Sequence, residues 1–248
     1  MSVFLQRSGF IGGGGGQVVP SPIPTDYIAF WTMDSVTGST LNDQTGNYNG
    51  TILGGTQDTS EKKFGAASLA FAGTSASQGV TFASTAFDFG GNSDPSFSVS
   101  FWVNSDVATP TVAGDSIFGK WTAGGDRCWL IVIDLSGVLN FILRNVSNTS
   151  NITRAQSSAF AANQWDHYCC VYDKGSLSMN IYRNGVLDNG TLSGSVPSSF
   201  YSSTTAAPRI GQINSGLPES GLDGNVDQMR VYDRALTATE VADLAAET

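Results

Sequence analysis

Residues 222–237 read LDGNVDQMRVYDRALT, and this stretch decides the fold class. The alternation of apolar and polar residues predicts a long strand over residues 224–232. Thr237 and Glu240 follow with the spacing of a capping box, in which each side chain accepts a hydrogen bond from the other's backbone amide at a helix start. We therefore predict that the strand is followed by a short helix over residues 238–246.

Short apolar or alternating runs recur along the chain before this ending. Asn184-Gly185 joins two of them, and both residues tolerate the positive φ of a tight hairpin. Ser136-Gly137 predicts a second hairpin. Many short strands at near-regular spacing predict an all-β fold, an antiparallel two-sheet jelly-roll sandwich with one short C-terminal helix and an extended N-terminal tail. The other predicted strands are residues 97–103, 129–135, 138–143, 165–172, 177–183 and 208–213.

Composition narrows the function classes. Charged residues make up only 13% of the chain while hydrophobic residues reach 40%, which is typical of strands joined by uncharged turns and not of disorder. The net charge of −9 repels phosphate backbones, so nucleic acid is not an expected partner. The sequence has no apolar run of membrane-spanning length, so we expect no membrane partner. The three cysteines include the neighbours Cys169 and Cys170, which is a poor disulfide framework.

Residues 1–25 differ from the rest of the chain. Five consecutive glycines at 12–16 are followed by prolines at alternate positions, which is typical of a linker. The segment also carries more apolar residues than a solvated linker needs, so we predict a tail that docks onto other structural proteins of an assembly, with a homo-oligomer as a further option. The predicted docking residues are Phe4, Leu5, Phe10 and Ile11. Residues 26–248 then form one domain.

Eight segments, taken in order, resemble the laminin-G-like family of the concanavalin A-like lectin and glucanase superfamily. The resemblance covers residues 26–246 and is most specific at the closing strand and helix. Because this family is functionally broad, it implies the fold and leaves the function to the site residues. The matching segments are residues 29–34, 42–50, 63–71, 97–103, 117–121, 165–168, 181–186 and 222–237.

The resemblance also implies a structural calcium position where the first and last strands meet. Asp34 ends the first strand and Asp227 lies in the last one, and Asp43 and Asn47 belong to an oxygen-rich loop that could complete the coordination. The alternative is that these carboxylates accept hydrogen bonds from loop amides.

Catalytic chemistry finds little support in the sequence. Glycosidases of the superfamily use paired carboxylates on one strand face, and no two glutamates here have that spacing. The single histidine, His167, stands where the family has a packing histidine, and no nucleophile elbow accompanies it. We therefore expect no catalytic residues and no enzyme.

Glycan binding uses aromatic faces and planar polar side chains at a loop edge. The candidates are Trp121 beside Asp126 and Arg127, together with Tyr201 in a Ser/Thr-rich loop; the alternative is that these aromatics belong to the core or its edge.

The sequence thus favours a non-enzymatic surface structural protein of the virion decoration or fibre type, and it resembles phage structural proteins that carry such domains. It would be docked through its tail, displayed on the virion surface, and able to attach to cell-surface glycans. The chain start lacks the features of a signal peptide, which favours this location. The alternative is a secreted or cell-surface carbohydrate-binding module or lectin-like adhesin, and a glycoside hydrolase is the third option.

Overall fold

The computed structural model describes residues 23–73, 78–90, 95–110, 114–122, 125–213 and 221–248. Within these residues the chain forms two antiparallel sheets and one short helix, which confirms the predicted fold class. The elements are β1 (Ala29–Trp31), β2 (Val36–Thr37), β3 (Thr40–Leu41), β4 (Gly50–Ile52), β5 (Thr56–Asp58), β6 (Ser68–Ala72), β7 (Val80–Thr81), β8 (Phe97–Ser105), β9 (Asp115–Trp121), β10 (Arg127–Ile133), β11 (Leu139–Arg144), β12 (Asn151–Gln156), β13 (Asp166–Asp173), β14 (Ser178–Arg183), β15 (Val186–Leu187), β16 (Asn189–Ser193), β17 (Pro208–Ile210), β18 (Asp223–Tyr232) and α1 (Ala238–Ala245).

The two sheets pack face to face. In the described residues, sheet A has the strand order β15-β14-β13-β8-β18-β6-β5, with β1 also paired to β18, and sheet B has the order β16-β12-β11-β10-β9-β17-β7-β4-β3-β2. Non-consecutive neighbours such as β8 and β18 are the crossovers expected of a jelly roll. The predicted closing strand therefore lies in the middle of sheet A.

Period-two alternation places one side of each strand in the shared core. On β10, Trp129 and Ile131 belong to the central core, whereas Leu130 and Val132 form a separate cluster on the other side. We call that other side the outer face of sheet B; it carries Trp121, Arg127, Leu130, Val132 and Arg209. The adjacent cysteines divide in the same way, and all three thiols are buried and free.

The opposite side of sheet A is the outer face of sheet A; it carries Ser100, Trp102, His167, Asp227 and Arg230. Helix α1 covers part of it through Val241 and Leu244, which cluster with Tyr232. The Thr237–Glu240 capping box is present, which confirms the predicted helix start.

Two strand ends differ from the sequence prediction for local reasons. The run 208–213 stops at Ile210 because Gly211 adopts a φ of 78° and turns the chain. The run 129–135 ends at Ile133, since the Asp134 carboxylate accepts the amides of Ser136 (2.8 Å) and Val138 (3.1 Å) and closes the hairpin. The tight turn at Asn184-Gly185 is confirmed, with φ of 50° and 81°.

Candidate functional site

The four predicted glycan-binding residues come together where β9 ends and β10 begins, two central strands of sheet B. Trp121 ends β9 and Arg127 begins β10, and the two are opposite each other in the strand register. The Arg127 guanidinium carbon lies 5.4 Å from the centroid of the Trp121 ring, a cation–π contact. Across the turn between them, the Thr122 amide donates to the Asp126 carbonyl at 2.8 Å. This turn fixes the direction in which Arg127 leaves the sheet.

Asp126 links this turn to the Ser/Thr-rich loop. The Tyr201 hydroxyl donates to Asp126 Oδ1 at 3.0 Å, and the Thr205 hydroxyl donates to Asp126 Oδ2. The hydrogen bonds from Thr205 and Tyr201 hold the pKa of the Asp126 carboxyl below its usual value, so the group is ionised at neutral pH. We call residues 121–122, 125–127 and 200–206 the loop edge.

Trp121 does not offer a bare ring at this edge. The residue is only 9% exposed, and it packs with Leu130, Val132 and Ile213 beneath the Arg127 guanidinium. Its observed role is to support Arg127. Direct stacking of a sugar on Trp121 stays a prediction that would require Arg127 to move aside.

A buried lysine holds the loops under the edge. Lys120 Nζ donates to the carbonyls of Ser84 (2.8 Å) and Ala86 (3.2 Å) and lies 3.6 Å from Asp88 Oδ1. Asp88 in turn accepts the Ser202 hydroxyl at 2.7 Å. Lys120 therefore fastens the loop around residues 83–88 to the loop edge. Its burial lowers the pKa of its ammonium group, with Asp88 acting against that shift.

A third loop joins the edge through asparagine. The Arg144 guanidinium donates to Asn148 Oδ1 at 3.0 Å and to Asn151 Oδ1 at 2.6 Å, while the Asn148 amide donates to the Gly125 carbonyl. The Asn145 side chain accepts the Thr149 amide at 2.7 Å. The asparagine-rich sequence around these residues thus builds a hydrogen-bonded loop, which accounts for its composition.

The Asp43 carboxylate is surrounded by hydrogen-bond donors. Its Oδ1 accepts the amide of Phe30 at 2.8 Å, and its Oδ2 accepts the amides of Asn47 at 3.1 Å and Tyr48 at 3.0 Å. The Thr45 hydroxyl donates to the same oxygen. Asn47 also lines a pocket of about 220 Å³ with Tyr48, Asn49, Phe82, Ala83, Thr85 and Ala86.

Asp34 and Asp227 hold one loop from two sides. Asp34 Oδ1 accepts the amides of Ala66 and Ala67 at 2.6 and 2.8 Å. Asp227 Oδ2 accepts the amides of Lys63 and Phe64 at 2.9 and 3.0 Å. We call these two carboxylates with residues 63–67 the carboxylate clasp. It fastens the connection between β5 and β6 onto the outer face of sheet A.

Backbone amides donate to the clasp carboxylates where the resemblance implies a calcium position. Amide N–H groups point at both oxygens of Asp227, since Oδ1 also accepts the Gln228 amide at 2.8 Å, and a cation there would face the positive ends of those dipoles. In the described residues, no group of three or more acidic, histidine or cysteine side chains is placed to hold a metal. Burial raises the pKa of Asp227 to about 7 and the amides of Phe64 and Lys63 oppose this. The calcium role of Asp34, Asp43, Asn47 and Asp227 stays a prediction.

His167 lies beneath the same loop and is 1% exposed. Its Nε2 is 2.8 Å from Ser100 Oγ, and its ring centroid is 5.3 Å from that of Trp102. Burial, together with the positive charges of Arg230 and Lys63, lowers the pKa of His167 to about 3. A Ser–His pair therefore exists, but it is covered by the loop and packs within the outer face of sheet A.

The predicted docking residues Phe4, Leu5, Phe10 and Ile11 lie outside the described residues. The chain is first described at Ile23, which packs against the α1 cluster, and the Tyr232 hydroxyl donates to the Pro24 carbonyl at 3.1 Å. Across the part of the chain that the structure describes, no helix has the length and apolar character to cross a membrane.

The two-sheet sandwich with polar loops at one edge defines a lectin-like domain. The sequence of residues 73–242, more than half of the chain, matches the Laminin_G_3 family of the concanavalin A-like lectin/glucanases superfamily. The chain belongs to this family, which confirms the resemblance. A search of curated proteins found no match.

Solved structures with the same fold include binding domains and parts of enzymes. Domain 4 of a GH43 extracellular arabinanase from Geobacillus stearothermophilus, in complex with arabinotriose, is 24% identical with a TM-score of 0.64 over 89% of this chain and 98% of that domain. The receptor-binding domain of botulinum neurotoxin type G is 17% identical with a TM-score of 0.63 over 90% of this chain. A Trypanosoma rangeli sialidase is 14% identical with a TM-score of 0.65 over 94% of this chain. At these identities the likeness concerns the fold, and the chain spans 51% of the neurotoxin domain and 35% of the sialidase.

Proposed function

We propose that this protein is a non-enzymatic carbohydrate-binding domain that uses the loop edge to hold a glycan. The observation that carries the proposal is the convergence of Trp121, Asp126, Arg127 and Tyr201, which three separate segments bring to one edge. Asp126 and Arg127 supply planar, charged hydrogen-bonding groups next to an aromatic surface, which is the combination that sugar hydroxyls require. The Geobacillus domain, which is solved with arabinotriose, supports the same class of ligand.

The absence of a hydrolytic function is part of the proposal. The described loop edge has one carboxylate with a lowered pKa, Asp126, whose oxygens already accept hydroxyl groups. A glycosidase requires a second carboxyl group with a raised pKa beside it.

The test is a glycan array with the full chain, followed by calorimetric titration of the best ligand. Tyr201→Phe removes only the hydroxyl that positions Asp126, and we expect it to weaken binding about tenfold, in line with the loss of one charge-assisted hydrogen bond. The matched control is Tyr182→Phe on sheet A, which should bind as the wild type does. The absence of any bound glycan, or equal binding by Tyr201→Phe, would refute the loop edge as the site. Release of reducing ends from the bound glycan would refute the non-enzymatic part.

We further propose that residues 1–25 dock this domain onto an assembly, such as the surface of a phage virion or fibre, with the loop edge exposed to host glycans. The apolar residues spaced by glycines support this location. Light scattering on the full chain and on a variant lacking residues 1–22 tests it; the shortened variant keeps Ile23 and Pro24 in their packed positions. Association of the full chain alone supports an anchor. Equal mass for both would contradict self-assembly through the tail and leave the secreted-module alternative ahead.

A further inference from the structure

Two arginines on the outer face of sheet B have no carboxylate partner among the described residues. The Nε atoms of Arg127 and Arg209 are buried and without a hydrogen bond. The ion pairs of the described residues join other groups: Lys120–Asp88, Arg183–Asp166, Arg230–Glu247, Arg234–Asp26 and Arg234–Glu240. The chain has 21 acidic and only 12 basic side chains, so carboxylates are in excess. Two arginines without a carboxylate partner in the part of the chain that the structure describes therefore call for an explanation.

The strand register places both arginines on one face. Arg127 is opposite Trp121, and Arg209 is opposite Gly119, two residues earlier on the same strand. Side chains two residues apart on a strand point to the same side, so Trp121 and Gly119 share this face. Arg127 and Arg209 stand on the strands that flank β9, roughly 10 Å apart across the sheet and offset by roughly 7 Å along it. Gly119 has no side chain of its own, and the Leu130 side chain packs against it on the same face.

Nearby carboxylates are directed elsewhere. Asp126, next to Arg127 in the chain, accepts hydroxyl groups from Tyr201 and Thr205. Burial lowers the pKa of Arg209. Arg144 adds a third positive charge close enough to Arg127 for its pKa to be lowered by it as well as by burial. A partly desolvated guanidinium without an acceptor is unfavourable, and an anionic ligand group removes that penalty.

We infer that the glycan held at this face carries a carboxylate or sulfate group, which Arg127 and Arg209 bind together. This inference rests on the proposed function and names its ligand class. Guanidinium groups form paired hydrogen bonds with both kinds of anion, so the chemistry is shared and the source of the anion is decided by experiment.

The experiment compares charged glycans with their neutralised forms on the full chain. Trigalacturonate is titrated against its methyl ester, and a heparin tetrasaccharide against its desulfated form; a neutral glycan array runs in parallel. We expect at least one acidic form to bind at least tenfold more tightly than its neutral counterpart and to weaken with added salt. A preference for trigalacturonate over its methyl ester identifies the anion as a carboxylate. A preference for the heparin tetrasaccharide over its desulfated form identifies it as a sulfate.

Variants assign the effect to the two arginines. Arg209→Gln should weaken binding of the acidic form by about tenfold or more and leave the neutral form unchanged, whereas Arg127→Gln should weaken both forms, the acidic form by about tenfold more than the neutral one. Lys62→Gln, an exposed cation that donates to the Thr59 carbonyl, removes the same charge elsewhere and should change nothing. Equal binding of charged and neutral forms, or wild-type binding by both arginine variants, overturns the anion inference while glycan binding stands. If neither charged nor neutral glycans bind, the proposed function fails together with the anion inference.

Discussion

The outer faces of the two sheets differ in how their charged side chains are paired. On sheet A, Glu247 accepts two hydrogen bonds of 2.8 Å from the Arg230 guanidinium, and three amides donate to Asp227. Helix α1 and the carboxylate clasp lie over that face. On sheet B, Arg127 and Arg209 have buried Nε atoms without acceptors. The charged groups of Arg230 and Asp227 on the first face thus have partners within the protein, although Trp102 Nε1, His167 Nδ1 and Arg230 Nε are also buried without a hydrogen bond. The two guanidiniums of the second face have no carboxylate partner among the described residues, which leaves their charge available to a ligand.

The largest effect should come from breaking the carboxylate clasp. Asp227→Ala removes the acceptor of three amides, those of Lys63, Phe64 and Gln228, and we expect it to lower the free energy of unfolding by about 3–5 kcal/mol, since several buried donors lose their partner together. Urea unfolding measures this. Asp233→Ala, an exposed carboxylate next to the end of the same strand, is the control and should change stability little.

The same measurement, repeated with calcium and with a chelator, separates the two interpretations of Asp34 and Asp227. If amides alone satisfy the carboxylates, the wild-type midpoint is the same in both conditions. A higher midpoint with calcium that disappears in Asp227→Ala would support the predicted cation site at these carboxylates.

The second-largest effect on stability is expected at Lys120, a buried cation of sheet B that has partners. Lys120→Met removes the donor to Ser84 and Ala86 and the partner of Asp88, and should cost about 2–4 kcal/mol because buried acceptors are left unsatisfied. We also expect weaker glycan binding, since these loops hold Ser202 and its neighbour Tyr201. Lys62→Met is the exposed control. Unchanged stability of Lys120→Met would show that the desolvation penalty of the ammonium group equals the stabilisation from its hydrogen bonds and its ion pair.

Lys120 also shows where sequence reasoning ends. The alternating strands, the Asn184-Gly185 turn and the capping box are local patterns, and the structure confirms them. The partners of a buried charge are set by residues distant in sequence, such as Lys120 with Asp88 or Asp227 with Lys63, and no periodicity specifies them. A lysine inside the otherwise apolar run 117–121 was the available signal for Lys120. Arg209 gave no such signal, because its distinguishing feature is the lack of a carboxylate partner among the described residues, which no sequence pattern reveals.

The third effect is a pH dependence of sheet A. The pKa of His167 falls from 6.5 to about 3 on folding, so the unfolded chain binds more protons between those values. The stability that His167 contributes is complete above pH 6.5 and is lost as the pH falls towards 3. Between neutral pH and about pH 4, the wild type should lose about 2–3 kcal/mol more than His167→Gln, whose side chain does not titrate. If the stability of the wild type and of His167→Gln changed with pH in the same way, this would mean that solvent reaches His167.

The smallest effect is the sharpest test of the comparison. Arg230→Gln on sheet A breaks a paired guanidinium and leaves Glu247 without its partner, so we expect a loss of about 1–3 kcal/mol. Arg127→Gln and Arg209→Gln on sheet B remove guanidiniums that have no carboxylate partner among the described residues, and each should change the free energy of unfolding by less than about 1 kcal/mol. Urea unfolding of all three variants decides the matter. A large loss of unfolding free energy in either sheet B variant would mean that the arginine stabilises the fold. It would contradict the inference that the arginine is available to bind a ligand.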